Sequence, residues 1–278
     1  YTNNKGTELL KDLDKLKQNI FKEMDKDLSE DEIKIGENTY DEKKNMKQTG
    51  ITWSQAEYDH LGFQREYIKH KSVQRFTEGY SMYQRAYNAG FLRNPTLSNN
   101  IKNANYPIRV VSLGGGPGFE LLAFKKFYNE IHPHIKLDLI SIDLSDSWKL
   151  SAKKVVDKFI QMDLSDTTAN KIVDKTKPID YIVISYMIYH YMNDNESMDM
   201  LIKFLINYNV KAIFINSRVK RLPPLEKLKE LDIDNKIQIH NLISPDDNRQ
   251  VVLWTKVKSR DLIHPQLKLT FPNVPYED

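Results

Sequence analysis

The stretch that decides the fold is "VVSLGGGPGFELLAF", which runs from Val110 to Phe124. It contains Gly-Gly-Gly-Pro-Gly at positions 114–118, so four of the ten glycines of the chain lie in one turn. An apolar run typical of a buried strand, Ile108 to Leu113, precedes the turn, and a helical pattern follows from about Phe119. In open α/β sheets a glycine turn after the first strand lets a ligand approach the backbone. We therefore expect a ligand site here; the alternative is a tight corner without a ligand.

Strand-like and helix-like segments alternate from about residue 107 onward. This alternation is typical of a mostly parallel sheet that is covered by helices on both faces, so the sequence predicts an α/β fold. The β-rich runs are "IRVVSLG", "KLDLISIDLS", "DYIVISYM", "KAIFINSR", "KIQIHNLI" and "RQVVLWTKVK". The helical stretches between them are "FELLAFKKFYNEI", "SWKLSAKKVVDKF" and "NESMDMLIKFLINY".

The first fifty residues differ from the rest, because charged residues crowd together and large apolar side chains are sparse. Apolar residues nevertheless recur there at helical spacing and predict an amphipathic helix from about Thr7 to Lys26. For residues 27–50 we expect a solvated polar linker, with an arm that folds over a bound substrate as the alternative. Residues 1–50 thus form a polar helical arm and connector. The apolar residues of the helix are Leu9, Leu10, Leu13, Leu16 and Ile20.

A second helical region precedes the sheet, and we interpret residues 51–106 as a helical lid region. Ser54 is followed three residues later by Glu57, the spacing of a capping box that starts a helix, and Thr52 is followed in the same way by Gln55. The helical pattern ends near Gly90, where a glycine is a common terminator.

Composition excludes several classes of protein. The chain has 278 residues, is 40% hydrophobic, carries a formal net charge of +3 and contains no cysteine. Disulfides, cysteine-ligated zinc and cysteine nucleophiles are therefore excluded. No apolar run reaches the roughly 18 residues of a membrane span, so we expect an intracellular protein of the cytoplasm or nucleus. The chain begins at Tyr1 rather than at Met, which is compatible with a shortened chain and with removal of a targeting segment.

The spacing of the glycines decides which ligand the turn suits. A dinucleotide-binding turn requires Gly-x-Gly-x-x-Gly, and the last position falls on Phe119 or Leu121 instead. The phosphate-loop pattern is absent as well. The arrangement Gly114-x-Gly116-x-Gly118 resembles motif I of the class I S-adenosylmethionine-dependent methyltransferases. The resemblance implies a seven-stranded class I methyltransferase fold, with residues 107–278 as the catalytic domain, and S-adenosyl-L-methionine as the cofactor of a transferase.

The same resemblance implies roles for residues at the ends of the strands. Asp143 ends the second strand, where the family bonds the ribose hydroxyls, and a carboxylate suits that role because it accepts two hydroxyl donors. Asp163 occupies the position near the adenine amino group. In the family the fourth strand begins with an acidic residue, here Asp180, and ends beside the methyl group. The implied cofactor-binding residues are Ser112, Gly114, Gly115, Gly116, Gly118, Asp143, Asp163, Ser185 and Tyr186.

Ser112 departs from the family pattern, which usually has an acidic residue two positions before the first glycine. A serine hydroxyl still accepts a hydrogen bond but lacks the charge. Glu120 has two interpretations: it substitutes for the missing carboxylate, or it only favours the N-terminus of the helix.

The candidate catalytic residues are Tyr186 and His190, which follow the fourth strand together with Tyr189. His190 is a candidate general base, with local packing as its alternative. The segment Ser185 to Ile188 lacks the Asn/Asp-Pro-Pro-Tyr/Phe pattern of enzymes that methylate exocyclic base amines or glutamine. No metal site is predicted, because the "HPH" stretch at His132 has no third ligand nearby.

Three classes of acceptor or role remain open. RNA is suggested by the basic, aromatic region from Arg65 to Arg93 and by Arg218 to Arg221, since cations meet phosphates and aromatic rings stack on bases. The basic residues of the first region are paired, in the alternative view, with the acidic connector at 27–42. A protein side chain or a small-molecule amine is the second class. The third is a methyltransferase-like binding subunit without turnover.

Overall fold

The computed structural model describes residues 5–42, 53–92, 107–164, 172, 178–188, 191–232 and 234–255. Seven strands in these ranges form one sheet in the order β3-β2-β1-β4-β5-β7-β6. β1 to β5 are parallel, and β7 runs antiparallel to both β5 and β6. The strands are β1 Ile108–Leu113, β2 Leu137–Asp143, β3 Lys158–Gln161, β4 Tyr181–Ser185, β5 Ala212–Asn216, β6 Ile237–Asn241 and β7 Gln250–Thr255.

The sheet confirms the predicted α/β fold of the class I methyltransferase type, including the closing antiparallel pair. The strand order reverses direction between β1 and β4, so a crevice opens outside the carboxyl ends of these two strands. The helices of this part are α5 Phe119–Ile131, α6 Lys149–Ala152, α7 Asn195–Ile206 and α8 Pro223–Leu231, with a 3-10 turn at Asp146–Trp148.

Apolar side chains of successive strand residues point to opposite faces of the sheet and form two cores. On one face Val110 and Tyr181 pack with helices that include α5. On the other face Val111 and Ile182 pack with α7 and α8. Both faces of the sheet are thus covered, as the alternation of strands and helices predicts.

One predicted helix is shorter than its sequence pattern indicates. "SWKLSAKKVVDKF" predicts a helix up to Phe159, but α6 ends at Ala152 and β3 begins at Lys158. The reason is pairing with β2, in which Ser141 lies opposite Phe159. Backbone pairing along a sheet edge overrides a local helical pattern of this length.

The N-terminal region forms helices that pack on the sheet domain. α1 spans Lys5–Met24, close to the predicted bounds. The expected solvated linker is wrong for α2, which spans Glu30–Glu42 and buries Gly36 and Tyr40. Ser29 and Glu32 form a reciprocal capping arrangement at its start, which accounts for the helix in so polar a segment. Residues 43–50 lie outside the described residues.

Two further helices complete this region. α3 spans Gln55–Asp59 and begins with the predicted capping box between Ser54 and Glu57. α4 spans Leu61–Asn88, is followed by Gly90 with φ of 82°, and packs against α2 and α5. None of the helices in the described ranges is both long and apolar enough to cross a bilayer.

Candidate cofactor and acceptor site

A cavity of about 570 Å³ lies at the carboxyl ends of β1, β2 and β4. Its floor is the glycine turn, and residues after β2, β3 and β4 form the walls. The roof is formed by α3, by α4 and by Trp53, which precedes the N-cap of α3. The N-terminal helices are therefore part of the site. Residues that line the cavity include Trp53, Tyr58, Tyr67, Arg75, Gly114, Gly115, Gly116, Glu120, Asp143, Trp148, Asp163, Ser185, Tyr186 and Met187.

The glycine turn has a backbone that other residues rarely adopt. Gly114 has φ of 61° and Gly118 has φ of 81°, both in the left-handed region. A Cβ on Gly114 would overlap the side chain of Met187, and one on Gly118 would approach Val156 at 2.7 Å. Gly118 caps α5 and does not line the cavity, whereas Gly114, Gly115 and Gly116 do.

Asp143 lies beside the turn at the end of β2. Its Oδ2 accepts a hydrogen bond from the Gly116 backbone N–H at 2.8 Å, and its Oδ1 accepts one from the Ser145 N–H at 3.1 Å. A carboxylate offers about four acceptor positions, so each oxygen retains capacity for a ligand. Burial raises the pKa of Asp143, and the backbone hydrogen bonds oppose that rise.

Ser112 lies beneath the floor of the cavity, whereas Glu120 reaches the cavity itself. Ser112 is fully buried beneath the turn, outside the cavity lining, and its Oγ has no hydrogen-bond partner among the described residues. Glu120 is also buried but lines the cavity from the first turn of α5. Burial raises the pKa of Glu120 to about 7, although the nearby Arg75 opposes this rise. A carboxylate thus faces the cavity although position 112 lacks one.

The other predicted residues after the strands also reach the cavity. Asp163 and Ser185 line it, after β3 and at the end of β4 respectively. The Oγ of Ser185 is buried and has no hydrogen-bond partner within the described ranges. His190 and Tyr189 lie outside the described residues. The proposed base role of His190 therefore stays a prediction.

Tyr186 joins the wall of the cavity to its roof. It has a φ of 64°, unusual for a bulky side chain, which marks a strained position of the kind common at functional sites. Its hydroxyl donates a hydrogen bond to Glu78 of α4. The same carboxylate accepts hydrogen bonds from Gln74 at 2.9 Å and Asn216 at 3.2 Å. Burial, reinforced by Glu78, raises the pKa of Tyr186 far above its usual value, so the phenol stays protonated at neutral pH.

Arg75 of α4 lies directly over Tyr186. Its guanidinium carbon is 3.4 Å from the ring centroid, within the range of a cation–π contact. Its Nε and Nη2 donate to the hydroxyl of Tyr67 at 3.2 Å and 3.1 Å. Its Nη1 is buried, and no described residue accepts a hydrogen bond from it.

Sequence reasoning did not single out Arg75, Glu78 or Tyr67 individually, although the aromatic residues of this region, Tyr67 among them, were candidates for the roof of a ligand pocket. The charge pattern between residues 65 and 93 placed these residues in a basic, aromatic helix, and that pattern does not say which side of a long helix faces a cavity. The available signal was the spacing of Glu78, which follows Gln74 by four residues and Arg75 by three. This spacing places the three polar side chains on one face of α4.

The basic residues from Arg65 to Arg93 divide between local pairs and the cavity. Arg65 pairs with Asp25, and Lys69 pairs with Glu66 at 2.9 Å. Arg85 donates to Gln250 at 2.6 Å, and Arg93 lies outside the described residues. Local acidic and amide partners thus engage Arg65, Lys69 and Arg85, whereas Arg75 of the same region lies over Tyr186.

Known proteins resemble this chain in structure, at low sequence identity. No protein-family model matches the chain, and no curated protein does either. A putative S-adenosyl-L-methionine-dependent methyltransferase from Methanococcus maripaludis is similar in structure, with 10% identity, a TM-score of 0.44 and coverage of 76% of this chain and 97% of that one.

Two further solved structures are similar to a comparable degree. The plantazolicin methyltransferase BpumL, in complex with SAH, has 14% identity, a TM-score of 0.43 and coverage of 69% of this chain and 87% of that one. DesVI of Streptomyces venezuelae has 10% identity, a TM-score of 0.43 and coverage of 73% and 98%. Similarity at this level says nothing about activity or acceptor. The strand order and the glycine turn after β1 establish that this chain has the class I methyltransferase fold.

Proposed function

We propose that the chain is an S-adenosylmethionine-dependent methyltransferase. The observation that carries the proposal is the meeting of the glycine turn and Asp143 in one cavity at the carboxyl ends of β1 and β2. Ligands of open α/β sheets bind at this edge of the sheet. The cavity volume of about 570 Å³ suits a ligand of nucleoside-derivative size.

The nucleoside end of the cofactor fits the residues present. The carboxylate of Asp143 keeps acceptor capacity beside its backbone hydrogen bonds, which suits the hydroxyls of a ribose. Trp148 lies about 3.5 Å from the position a Cβ on Gly116 would take, so an aromatic ring borders the turn. Asp163 lines the same side and would accept from the adenine amino group.

The methionine end of the cofactor carries a carboxylate and an ammonium group. Arg75 has a buried Nη1 without an acceptor in the part of the chain described, and Glu120 provides a carboxylate in the same cavity. We assign the cofactor carboxylate to Arg75 and the ammonium group to Glu120. Glu120 thus replaces the acidic residue that the family has at the position of Ser112.

The residues at the end of β4 would position the acceptor. The cofactor supplies a methyl group on a sulfonium sulfur, and the lone pair of the acceptor bonds to it as the sulfur–carbon bond breaks. Tyr186 is held by Glu78 and Arg75, so its role is to position rather than to remove a proton. A proton released by the acceptor would pass to water, to Glu78 or to His190.

Of the acceptor classes, a small molecule is favoured over RNA. Three of the six Lys and Arg residues from Arg65 to Arg93 are engaged by neighbouring side chains, which reduces the charge available to RNA phosphates. The remaining cations surround Tyr186 at the cavity. RNA and a protein side chain remain alternatives that the labelling experiment below separates.

Calorimetry with S-adenosylmethionine tests the cofactor site. Asp143→Ala should weaken binding by about 2–4 kcal/mol, because two hydrogen bonds to a charged acceptor are lost. Asp146→Ala is the matched control, since Asp146 is three residues away, exposed and paired only with Lys149 at 3.8 Å. Equal affinity of both variants and the wild type would remove Asp143 from the site.

Methyl transfer from labelled cofactor into a cell extract tests turnover. We expect label in a small soluble fraction that resists both ribonuclease and protease. Label lost with ribonuclease would identify RNA, and label lost with protease would identify a protein. Cofactor binding without any transfer would support the non-catalytic binding subunit.

A further inference from the structure

Two guanidinium groups flank the ring of Tyr186 in the cavity wall, and Lys71 precedes one of them on the same face of α4. The guanidinium carbons of Arg75 and Arg218 lie 3.4 Å and 5.3 Å from its ring centroid. Lys71, one helical turn before Arg75 on α4, belongs to the same group, because the charges of Arg218 and Arg75 both act on it. Two separate parts of the fold, α4 and the loop after β5, therefore bring positive charge to one place.

Positive charge is in excess in this group, and no described carboxylate lies within salt-bridge distance of it. The salt bridges of the described residues include none to Lys71, Arg75 or Arg218. The charges of Glu78 and Glu120 act on Lys71 and Arg75 respectively, so two carboxylates face three cations. Like charges brought together at a partly buried site are costly unless an anion joins them.

Lys71 itself records this cost. Burial lowers its pKa to about 8, and repulsion from Arg218 and Arg75 adds to the effect, whereas Glu78 opposes it. Without a bound anion, the charged form of Lys71 is therefore disfavoured at this position. A bound anion would restore the ordinary pKa by supplying the missing negative charge.

We propose that Lys71 and Arg218 form an anion subsite beside Tyr186, and that the methyl acceptor carries a carboxylate or phosphate group that binds there. This inference rests on the proposed function, since it assigns the acceptor of that reaction. Arg75 serves the cofactor carboxylate, so Lys71 and Arg218 remain for the acceptor. An aromatic ring between cations also provides a flat surface for the acceptor body.

Inorganic phosphate and acetate are the probes for the subsite. The full chain, saturated with S-adenosylhomocysteine, is titrated with each salt at constant ionic strength, and binding is followed by the shift in melting temperature. The double variant Lys71→Gln/Arg218→Gln should bind at least about tenfold more weakly, since two charge-assisted hydrogen bonds are lost. The matched control is Lys69→Gln/Lys220→Gln, which removes two charges at positions two residues away on the same elements.

The outcomes separate the two proposals. Loss of anion binding in the double variant alone supports the subsite, and equal behaviour of the double variant and its control overturns it. A wild-type chain that does not bind S-adenosylmethionine ends the proposed function, whatever the anions do. A labelled product retained on an anion-exchange column supports the subsite, with ribonuclease sensitivity marking RNA phosphate as the source. A neutral or cationic product overturns it.

Discussion

The hydroxyl of Tyr186 donates a hydrogen bond to the carboxylate of Glu78, a residue 108 positions earlier in the chain. This bond joins the end of β4 to α4. It fixes the side chain of Tyr186, whose own backbone is strained. Because Asn216 of β5 donates to the same carboxylate, two neighbouring strands are tied to one helix residue.

Tyr186→Phe should reduce stability by about 1–3 kcal/mol, because a buried hydrogen bond to a charged acceptor is lost. Urea denaturation measures the change. Tyr208→Phe is the control, since the structure gives the Tyr208 hydroxyl no hydrogen bond within the described ranges and its ring packs on Phe204. Equal stability of the Tyr186 variant and the control would show that the bond to Glu78 contributes nothing.

We expect Glu120 to make cofactor affinity depend on pH. Its pKa of about 7 in the ligand-free protein means that it is largely protonated at pH 6 and ionised at pH 8. Only the ionised form attracts the cationic ammonium, so affinity should rise with pH through 7, by up to about tenfold per unit below that point. Calorimetry in buffers of different ionisation enthalpy should also detect proton release on binding.

The control for this pH dependence is Glu120→Gln, which should bind more weakly and lose most of the rise near pH 7. Asp143 also has a pKa raised by burial, so its titration would remain in the variant. An unchanged profile in Glu120→Gln would assign the dependence to another group.

The same carboxyl group should cost stability without ligand. The pKa of Glu120 is higher in the folded protein than the ordinary value of 4.5, so the folded state binds its proton more tightly than the unfolded state. Stability from this group is therefore full below about pH 4.5 and falls as pH rises to 7. Glu120→Gln should stabilise the ligand-free chain at pH 8 by about 1–3 kcal/mol and change little at pH 4. Denaturation at both pH values measures this; a variant less stable at pH 8 would contradict it.

The contact between Gly36 of α2 and Gly62 of α4 leaves no room for a side chain. A Cβ on Gly36 would overlap the backbone carbonyl of Gly62, and backbone cannot move aside as a side chain can. Gly36→Ala should therefore destabilise the chain by about 2 kcal/mol or more, despite the better helix propensity of alanine. Asn38→Ala, on the exposed side of the same helix, is the control. A stabilised Gly36→Ala variant in urea denaturation would show that α2 does not pack on α4 in solution.

The sequence predicted the parts of the fold and site that depend on short stretches of chain. The glycine turn and Asp143 belong to local patterns at strand ends, so their meeting at one sheet edge follows from parallel pairing. The roof of the cavity does not follow in this way. α4 buries residues on several sides, including Gln64 and Glu66, so its apolar pattern does not reveal which side bears Glu78.

Two misassigned segments have similar causes. α2 looked like a solvated linker because its few apolar side chains are outnumbered by charges, and the close approach of Gly36 to Gly62 is visible only in three dimensions. The predicted helix ran into the first two residues of β3, Lys158 and Phe159. These residues form a strand because they pair with β2, which lies earlier in the chain and is not visible in the local pattern.

α4 is one continuous helix that carries Phe76 and Tyr83 in the core on one face of the sheet, Arg75 at the cavity, and Glu78 bonded to Tyr186 of the cavity wall. Substitutions on α4 that alter acceptor specificity would therefore fall on a helix that also forms part of the hydrophobic core. During divergence, a new acceptor would be gained most readily through the loop after β5, where Arg218 is exposed. Mutations on α4 would need compensating changes elsewhere in the core, so specificity and folding would evolve together on that side of the site.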